Sequence, residues 1–285
     1  MCLVGVCPTS NGMIINGKAI AEKLKSELRE EIRRRKTPPT LVTVMVGENP
    51  ISEKFLAVKK NFAASVGIPV RDTRYDGEVE EEKVIKSIQE LSAKKNLGII
   101  VQLPLPPRFD TEQILDAVPV FADVDVLSRE SVRQFEAGEL PILPTVVASF
   151  DTVLAERGVV LSGKKTVVIG KGKLVGAPAA LWLKRAGATV TVADGATSDL
   201  ASLTKDADII VCGAGVPGLL KPEMIKEGVI ILDAGTSEQG GKMVGDADPR
   251  CVEKAALFTP TPGGIGPVTV AMVFKNLLKL TEEKQ

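Results

Sequence analysis

The chain has 285 residues, 44% of them hydrophobic and 25% charged, which is ordinary for a globular protein of about two domains. Lysine and arginine balance aspartate and glutamate at 36 each, so the basic excess typical of nucleic-acid-binding proteins is missing. There is no histidine, which excludes the commonest general base and metal ligand, and we predict no metal site. No apolar run is long enough to cross a bilayer, so no membrane partner is predicted.

The four cysteines are Cys2, Cys7, Cys212 and Cys251. No pair has CxxC spacing, and four are too few for a disulfide framework in a chain of this length, so a cytoplasmic location is predicted. Cys212 lies in the apolar run ADIIVCGAG and is predicted to be a buried thiol of the core. Residues 1–12, which carry Cys2 and Cys7, lack the basic region of a signal peptide and are predicted to form a loose arm.

The first half of the chain alternates helix and strand patterns. A charged amphipathic helix is predicted at 17–35, a buried strand at 41–47, a helix capped by Ser52 at 53–66, and then strand, helix and strand at 70–75, 80–94 and 98–103. Strands separated by helices indicate βαβ units and a parallel sheet. The PLPP segment at 104–107 directly follows a strand, at the edge where open α/β sheets bind ligands.

A second α/β unit is predicted after the prolines at 141 and 144. Its pattern is Rossmann-like, with helices at 150–156 and 177–186 and strands at 165–169, 188–194, 207–215 and 228–235. The prediction is therefore an α/β fold of two domains with an active-site cleft between them. Residues 1–148 form a substrate domain, joined by a C-terminal helix within 267–285, and residues 149–266 form a dinucleotide-binding domain.

A glycine-rich turn opens the predicted dinucleotide site. Gly170, Gly172 and Gly176 follow a strand and begin a helix, where phosphates approach bare backbone amides at a positive helix end. A simple tight turn is the alternative. Asp194 ends the next strand and could accept hydrogen bonds from the ribose hydroxyls of NAD, although an aspartate in a turn is also common. Lys171 could instead pair with the 2′-phosphate of NADP, so the residues leave the cofactor open with a lean to NAD.

Several segments together carry a family resemblance. They are GENPISEKFLAVKKNFAASVGI (47–68), VQLPLP (101–106), ADVDV (122–126), VVIGKGKLVGAP (167–178), KMVGDAD (242–248) and TPTPGGIGPVTVAM (259–272). From Met13 to about Leu280 the chain resembles the bifunctional methylenetetrahydrofolate dehydrogenase/cyclohydrolases. The resemblance implies oxidation of 5,10-methylenetetrahydrofolate with NAD or NADP, hydrolysis of the methenyl product to 10-formyltetrahydrofolate, and a homodimer.

The same resemblance assigns roles to particular residues. Lys59 aligns with the catalytic lysine, Gln102 with the glutamine that contacts it, and Asp125 with the aspartate that holds the pterin ring. A lysine can act as acid and base if burial lowers its pKa, and a carboxylate can accept from two pterin N–H groups together. The remaining implied residues bind the two ligands: Ser52, Phe55, Pro262, Gly263 and Gly264 for the folate, and Gly170, Lys171, Gly172, Val175, Gly176, Asp194 and Thr236 for the dinucleotide.

Each of the three catalytic assignments has a simpler alternative. Lys59 could be one more surface lysine on a charged helix, Gln102 could merely end a strand, and Asp125 could cap a helix near Ser128. The occurrence of all three, in order and inside their motifs, favours the functional interpretation.

Some positions depart from the family pattern. Phe55 stands in place of a tyrosine, Val126 in place of a glycine, and Lys171-Gly172 in place of the usual pair; PTVVA (144–148) keeps only Thr145 of its motif, and 233–237 also differs. One explanation is an active enzyme with altered cofactor choice or weakened hydrolysis. The alternatives are a paralogue that binds folate or dinucleotide without turnover, and a dehydrogenase of another small substrate.

Overall fold

The computed structural model describes residues 13–282, so the predictions for residues 1–12, Cys2 and Cys7 lie outside the described part. The chain divides into two compact units. The first unit contains residues 21–148 and 269–282, and the second contains residues 13–20 and 149–268. The divisions fall inside the first, sixth and ninth helices of the described chain.

Strands and helices alternate along much of the described chain. The strands are β1 Met13–Ile14, β2 Thr40–Val46, β3 Val70–Tyr75, β4 Leu97–Val101, β5 Lys165–Ile169, β6 Thr189–Ala193, β7 Ile209–Cys212, β8 Val229–Asp233, β9 Ser237–Gln239, β10 Lys242–Val244 and β11 Ala255–Thr259. The helices are α1 Gly17–Arg34, α2 Pro50–Val66, α3 Glu81–Ser92, α4 Thr111–Asp116, α5 Arg129–Ala137, α6 Thr145–Ala155, α7 Gly176–Arg185, α8 Leu200–Thr204 and α9 Ile265–Leu280.

The first unit is built on a parallel sheet of three strands in the order β3-β2-β4. The central strand β2 is apolar and buried along almost its whole length, as expected of a parallel strand covered on both faces. One face packs against α3 and α4 through Val84, Ile88 and Ile114. The other face meets apolar residues of α1, α2 and α9, among which Phe62 and Phe274 stack with ring centroids 5.2 Å apart.

The second unit contains a parallel sheet of six strands in the order β1-β11-β8-β7-β5-β6. The antiparallel pair β9 and β10 stands apart from this sheet. The core of the unit packs around the fully buried Ile210, Cys212 and Ile231 of the central strands β7 and β8. Cys212 is a buried core thiol, which confirms its predicted position.

The structure corrects two local predictions. Residues 13–20 belong to the second unit, not to the first domain, because β1 pairs with β11. Helix α2 begins at Pro50, and its cap is Asn49, whose side chain accepts hydrogen bonds from the backbone of Ile51 and Ser52. Proline at the first helical position suits this start, because its fixed φ is helical and its missing N–H would have no partner. Ser52 therefore lies inside the helix and does not cap it.

Several short elements are not predicted from the sequence. They are the strands β1, β9, β10 and β11 and the helices α5 and α8. Strands β1, β9 and β10 have only two or three residues, too few to show a hydrophobic period.

Val126 has the backbone conformation of a glycine. Its φ is 59°, in the left-handed region, and its side chain is buried. A β-branched residue is strained in this conformation, by about 1–2 kcal/mol on the general scale for L-residues. The valine therefore stands in a backbone conformation that favours glycine.

We expect the stability order of substitutions at Val126 to be reversed. At an ordinary buried site alanine is more stable than glycine, but at Val126 the Val126→Gly variant should exceed Val126→Ala by about 1 kcal/mol, because only glycine relieves the strain. Urea unfolding measures both free energies of unfolding. The matched pair Val124→Gly and Val124→Ala, at a buried valine without positive φ, should show the ordinary order. The ordinary order at Val126 as well would show that no strain is present.

Candidate active site

The first unit brings Lys59 and Gln102 together where its strand order reverses. The chain passes from β2 to β3 on one side and then returns to β4 on the other, which leaves a crevice at the carboxyl ends of β2 and β4. Gln102 directly follows β4, and its backbone N–H donates to the carbonyl of Val44 over 2.8 Å. Helix α2 follows β2 and carries Lys59, whose Nζ donates to Oε1 of Gln102 over 3.2 Å.

Lys59 is half-buried, and the loss of hydration at its ammonium is the main influence on its pKa. Burial lowers its pKa below the ordinary value of 10.5, and the Asp125 carboxylate opposes this shift only in part. The desolvation of the charged form is therefore the larger effect. This environment distinguishes Lys59 from a solvated surface lysine, which was the alternative interpretation of its sequence.

Gln102 is buried, with only 6% of its surface exposed. Its carbonyl oxygen accepts from Lys59, while its Nε2 is buried and has no hydrogen-bond partner among residues 13–282. A buried amide N–H without a hydrogen-bond partner costs folding free energy, and such groups in native proteins usually have a functional reason. Its N–H groups are available to a bound molecule.

Asp125 lies in a tightly held turn. Thr145 donates its Oγ1–H to Oδ1 of Asp125 over 2.9 Å. The neighbouring Asp123 is buried and accepts from the backbone N–H groups of Leu127 and Ser128 at 3.0 and 2.9 Å, which closes the turn around Asp125. Burial raises the pKa of Asp123, and its backbone hydrogen bonds partly offset this. Ser128 is itself the cap of α5, so Asp125 does not have the capping role considered above.

Ser52 and Phe55 share α2 with Lys59. Ser52 is buried, and its Oγ–H donates to the carbonyl of Leu103 over 3.1 Å, which ties the helix to the segment after β4. Phe55 stands one helical turn before Lys59 and is 37% exposed, high for a large apolar side chain. Its ring can offer an apolar surface to a ligand beside the lysine.

The second unit has its own reversal of strand order, between β5 and β7. Gly170 follows β5 with φ 100°, which an L-residue rarely adopts. A side chain on Gly176 would collide with the carbonyl of Gly170, so this turn can close only with glycine. At Gly172 there is open space within 4 Å of where a Cβ would stand. The loop and the N-terminus of α7 thus form a cradle that fits the phosphates of a dinucleotide.

Lys171 and Asp194 are paired with each other. Lys171 Nζ lies 2.7 Å from Oδ2 of Asp194, and the Lys171 side chain is 74% exposed. Their hydrogen bond lowers the pKa of Asp194 and raises that of Lys171. Oδ1 of Asp194 also accepts from the backbone of Ala196 over 3.0 Å, so the aspartate has its turn-forming role as well. Lys171, whose charge favours NADP, and Asp194, whose charge favours NAD, therefore form one ion pair beside the glycine loop.

The remaining predicted residues also lie in the second unit. Val175 lies at the start of α7 against Gly213, and Thr236 is exposed in the segment between β8 and β9. The loop of Pro262, Gly263 and Gly264 leads into α9, and the carbonyl of Gly263 accepts from the backbone of Gly17 over 2.9 Å. Thus the predicted set falls into a lysine-centred group in the first unit and a glycine-loop group in the second.

Several residues that hold these groups in place are not assigned a role from the sequence. Asp123 and Thr145 support Asp125, and Asp233 and Asp246 are buried near the loop after β7. The motif segments contained Asp123, Thr145 and Asp246, but nothing in their spacing indicated which backbone groups they bind.

Two further features are absent from residues 13–282, a metal site and a membrane-spanning helix. Within 13–282, no three or more cysteine, aspartate or glutamate side chains are grouped so that they could hold a metal ion. In the same part of the chain, no helix is both long and apolar enough to cross a membrane.

Comparison with known proteins gives concordant matches. The family model described as tetrahydrofolate dehydrogenase/cyclohydrolase, catalytic domain, matches residues 15–125, and the model of the NAD(P)-binding domain of the same family matches residues 144–285. The bifunctional protein FolD of Caldanaerobacter subterraneus is 38% identical over 269 residues, which cover 94% of this chain and 96% of the relative.

Two solved structures are similar over nearly their whole length. The bifunctional FolD enzyme of Campylobacter jejuni is 34% identical with a TM-score of 0.91, over 94% of this chain and 98% of that one. The methylenetetrahydrofolate dehydrogenase-cyclohydrolase of Trypanosoma brucei, solved with NADP and an inhibitor, is 34% identical with a TM-score of 0.89, over 96% and 98% of the two chains.

We expect the Lys59 pKa to fall further in an Asp125→Asn variant, because the substitution removes the negative charge that stabilises the ammonium. The titration can be followed by NMR on protein with ¹³C-labelled lysine. Asp72→Asn is the matched control, since Asp72 pairs with the adjacent Lys60 over 2.5 Å. A Lys59 titration that is the same in wild type and Asp125→Asn would show that the two charges do not interact.

Proposed function

The chain belongs to the tetrahydrofolate dehydrogenase/cyclohydrolase family, and we propose that it oxidises 5,10-methylenetetrahydrofolate with NAD⁺ or NADP⁺ and hydrolyses the methenyl product to 10-formyltetrahydrofolate. The observation that carries the proposal is the contact between Lys59 and Gln102. It places an amine of lowered pKa at the strand-order reversal of the first unit.

In this proposal each unit binds one of the two ligands. The first unit, with Lys59, Gln102 and Asp125, binds the folate and carries the acid/base chemistry. The second unit, with the glycine loop, binds the dinucleotide. Pro262, Gly263 and Gly264 offer backbone against which ligands can lie. This division is supported by the separate matches of the catalytic-domain and NAD(P)-binding-domain models.

Lys59 is the proposed general acid and base of the hydrolysis. A lowered pKa makes the neutral amine accessible closer to neutral pH, so Nζ can take a proton from the water that attacks the methenyl carbon. The positive charge of the methenyl substrate would favour the neutral amine further. Gln102 accepts one N–H of Lys59 and thereby fixes the direction of the amine.

Asp125 is proposed to orient the pterin ring. Its carboxylate can accept from a ring N–H and the exocyclic amino group, and Thr145 holds the carboxylate in place from one side. Phe55 supplies a ring for stacking and lacks the hydroxyl that a tyrosine would offer. The departures from the family pattern at Phe55 and Val126 do not involve the three proposed catalytic residues, which are Lys59, Gln102 and Asp125.

The dinucleotide would be held by the second unit. The backbone of Gly170, Gly172 and Gly176 and the N-terminus of α7 receive its phosphates, while Val175 and Thr236 line the same side of the unit. When bound, the nicotinamide supplies the hydride acceptor of the oxidation. The protein contributes by positioning, because hydride transfer requires the two carbon atoms at contact distance.

We infer a preference for NAD. The Asp194 carboxylate suits ribose hydroxyls and would repel a 2′-phosphate, and Lys171 is already paired with that carboxylate. A catalytic enzyme is favoured over a binding-only paralogue because the proposed acid/base residues are present and in contact. We further propose that the protein works as a homodimer in the cytoplasm, with the family resemblance as the support.

We expect the Lys59→Ala variant to lose hydrolysis by about a hundredfold or more, since general acid/base groups contribute on this scale. Purified protein is mixed with 5,10-methylenetetrahydrofolate and NAD⁺ or NADP⁺, and the absorbances of the reduced nicotinamide and the methenyl product are followed. Decay of added methenyl substrate measures hydrolysis alone. Folate binding should change far less than hydrolysis.

The neighbouring Lys60→Ala is the matched control and should keep both activities. Wild-type protein without turnover in either cofactor would refute the proposed function. Undiminished hydrolysis in Lys59→Ala would instead refute only the role of the lysine.

We expect wild-type protein to have a higher kcat/KM with NAD⁺ than with NADP⁺, and Asp194→Ser to raise the NADP⁺ value about tenfold, because a like charge beside the phosphate is removed and Lys171 is released. Lys171→Ala should lower the NADP⁺ value and leave the NAD⁺ value nearly unchanged. Asp206→Ser, an equal change of charge elsewhere in the second unit, is the control. An unchanged ratio of the two cofactors in Asp194→Ser would reject the aspartate as the determinant.

A further inference from the structure

Two buried aspartates lie beside the glycine loop and have no role in the chemistry above. Asp233 ends β8, and Asp246 follows β10; their exposed fractions are 1% and 0%. Burial of a carboxylate costs free energy unless hydrogen bonds compensate for the lost hydration. The hydrogen-bond donors around each aspartate therefore show which backbone segments it holds in place.

Asp246 binds the backbone that follows β7. Its Oδ2 accepts from the N–H groups of Ala214 and Gly215 at 2.6 and 3.0 Å. These are charge-assisted hydrogen bonds to backbone, which are stronger than neutral ones. The carbonyl of Gly215 accepts in turn from the hydroxyl of Ser237 over 3.0 Å. Asp246 is thus the acceptor that fixes the first turn after β7.

That turn packs directly on the glycine loop. A side chain on Gly170 would collide with the carbonyl of Gly213 and the nitrogen of Ala214, and a side chain on Gly213 would collide with Val175. The two loops therefore touch through bare backbone at the reversal of strand order between β5 and β7. A displacement of Ala214 changes the wall of the cradle.

Asp233 holds Asp246 from the other side. Its oxygens accept from the N–H groups of Gly235, Asp246 and Ala247 at 2.9, 3.3 and 2.9 Å. A side chain on Gly235 would overlap the Asp246 carboxylate, and a side chain on Gly245 would overlap that of Asp233. The two glycines therefore leave room for the two acids, and the segments after β7, β8 and β10 are joined through them.

The pKa shifts of the neighbouring groups are consistent with Asp246 as the hydrogen-bond acceptor for the turn after β7. Burial raises the pKa of Asp233 to about 7, and the nearby Asp246 carboxylate adds to the shift. Burial, and then the charges of the two nearby acids, raises the pKa of the Cys212 thiol well above its ordinary value, so the thiol stays neutral. Near neutral pH Asp233 is partly protonated, which reduces the repulsion between the two acids.

We propose that Asp246 is a positioning residue for the dinucleotide: its carboxylate fixes Ala214 and Gly215, and through them the wall that the glycine loop needs. The inference rests on the proposed function, since it assigns a further residue to the same dinucleotide site. Asp246 does not need to touch the ligand, because it acts through the backbone that it holds.

Binding of NAD⁺ and NADP⁺ to the full chain, measured by calorimetry without folate, tests this proposal. Asp246→Ala should raise the Kd of the tighter dinucleotide about tenfold, the scale expected when a buried charge-assisted contact that orders a loop is lost. Asp246→Asn should stay within about threefold of wild type, because the amide oxygen can accept the same two N–H groups. Hydrolysis of added methenyl substrate, which requires no dinucleotide, should remain in both variants.

Gly235→Ala supplies an independent route if Asp246→Ala does not fold. The new methyl group would displace the intact Asp246 carboxylate and should weaken dinucleotide binding in the same way. Asp248→Ala is the control, since its carboxylate pairs with the largely exposed Arg250 and should not affect binding.

Three outcomes would overturn the proposal. Wild-type affinity in Asp246→Ala or in Gly235→Ala would show that the wall does not depend on this carboxylate. Equal losses in Asp246→Asn and Asp246→Ala would show that the oxygen acceptor is not what matters. Wild-type protein that binds neither dinucleotide would refute the proposed function together with this inference, and so is distinct from the first two.

Discussion

The reversal of strand order in each parallel sheet is the constraint on which the candidate sites depend. At β2 and β4, and again at β5 and β7, two neighbouring strands send their following segments to opposite sides. The carboxyl ends are thereby left uncovered, and polar groups can reach them without breaking the sheet. Gln102 stands at the first of these points and Gly170 at the second. Each unit thus has one place where ligand chemistry is compatible with a buried apolar sheet.

The chemistry of the first unit depends on the balance between burial and charge at Lys59. Burial alone favours a neutral amine, and Asp125 restores part of the preference for the ammonium. The two effects act on the pKa of Lys59 in opposite directions, and burial is the larger of them. Gln102 adds direction without adding charge. A residue of this kind can replace histidine, which is absent from the chain.

The sequence predicts the α/β class and the main parallel strands because runs such as LVTVMV can be buried only in a covered sheet. It does not fix the cap of α2, since Asn49 and Ser52 both carry suitable oxygens and the choice depends on Pro50. The Lys59–Gln102 contact was predicted through family motifs, not through periodicity. The contacts of Asp246 were not predictable, since they join residues 31 and 32 positions apart through tertiary packing.

The burial of Asp233 also affects proton exchange near neutral pH. Most folded proteins take up and release protons there through their histidines, and this chain has none. A carboxyl group with a pKa of about 7 titrates in the same range. Unfolding returns this carboxyl to its ordinary acidic range, so the fraction of Asp233 that is protonated at neutral pH releases its proton when the chain unfolds. The heat of unfolding should accordingly vary with the ionisation enthalpy of the buffer.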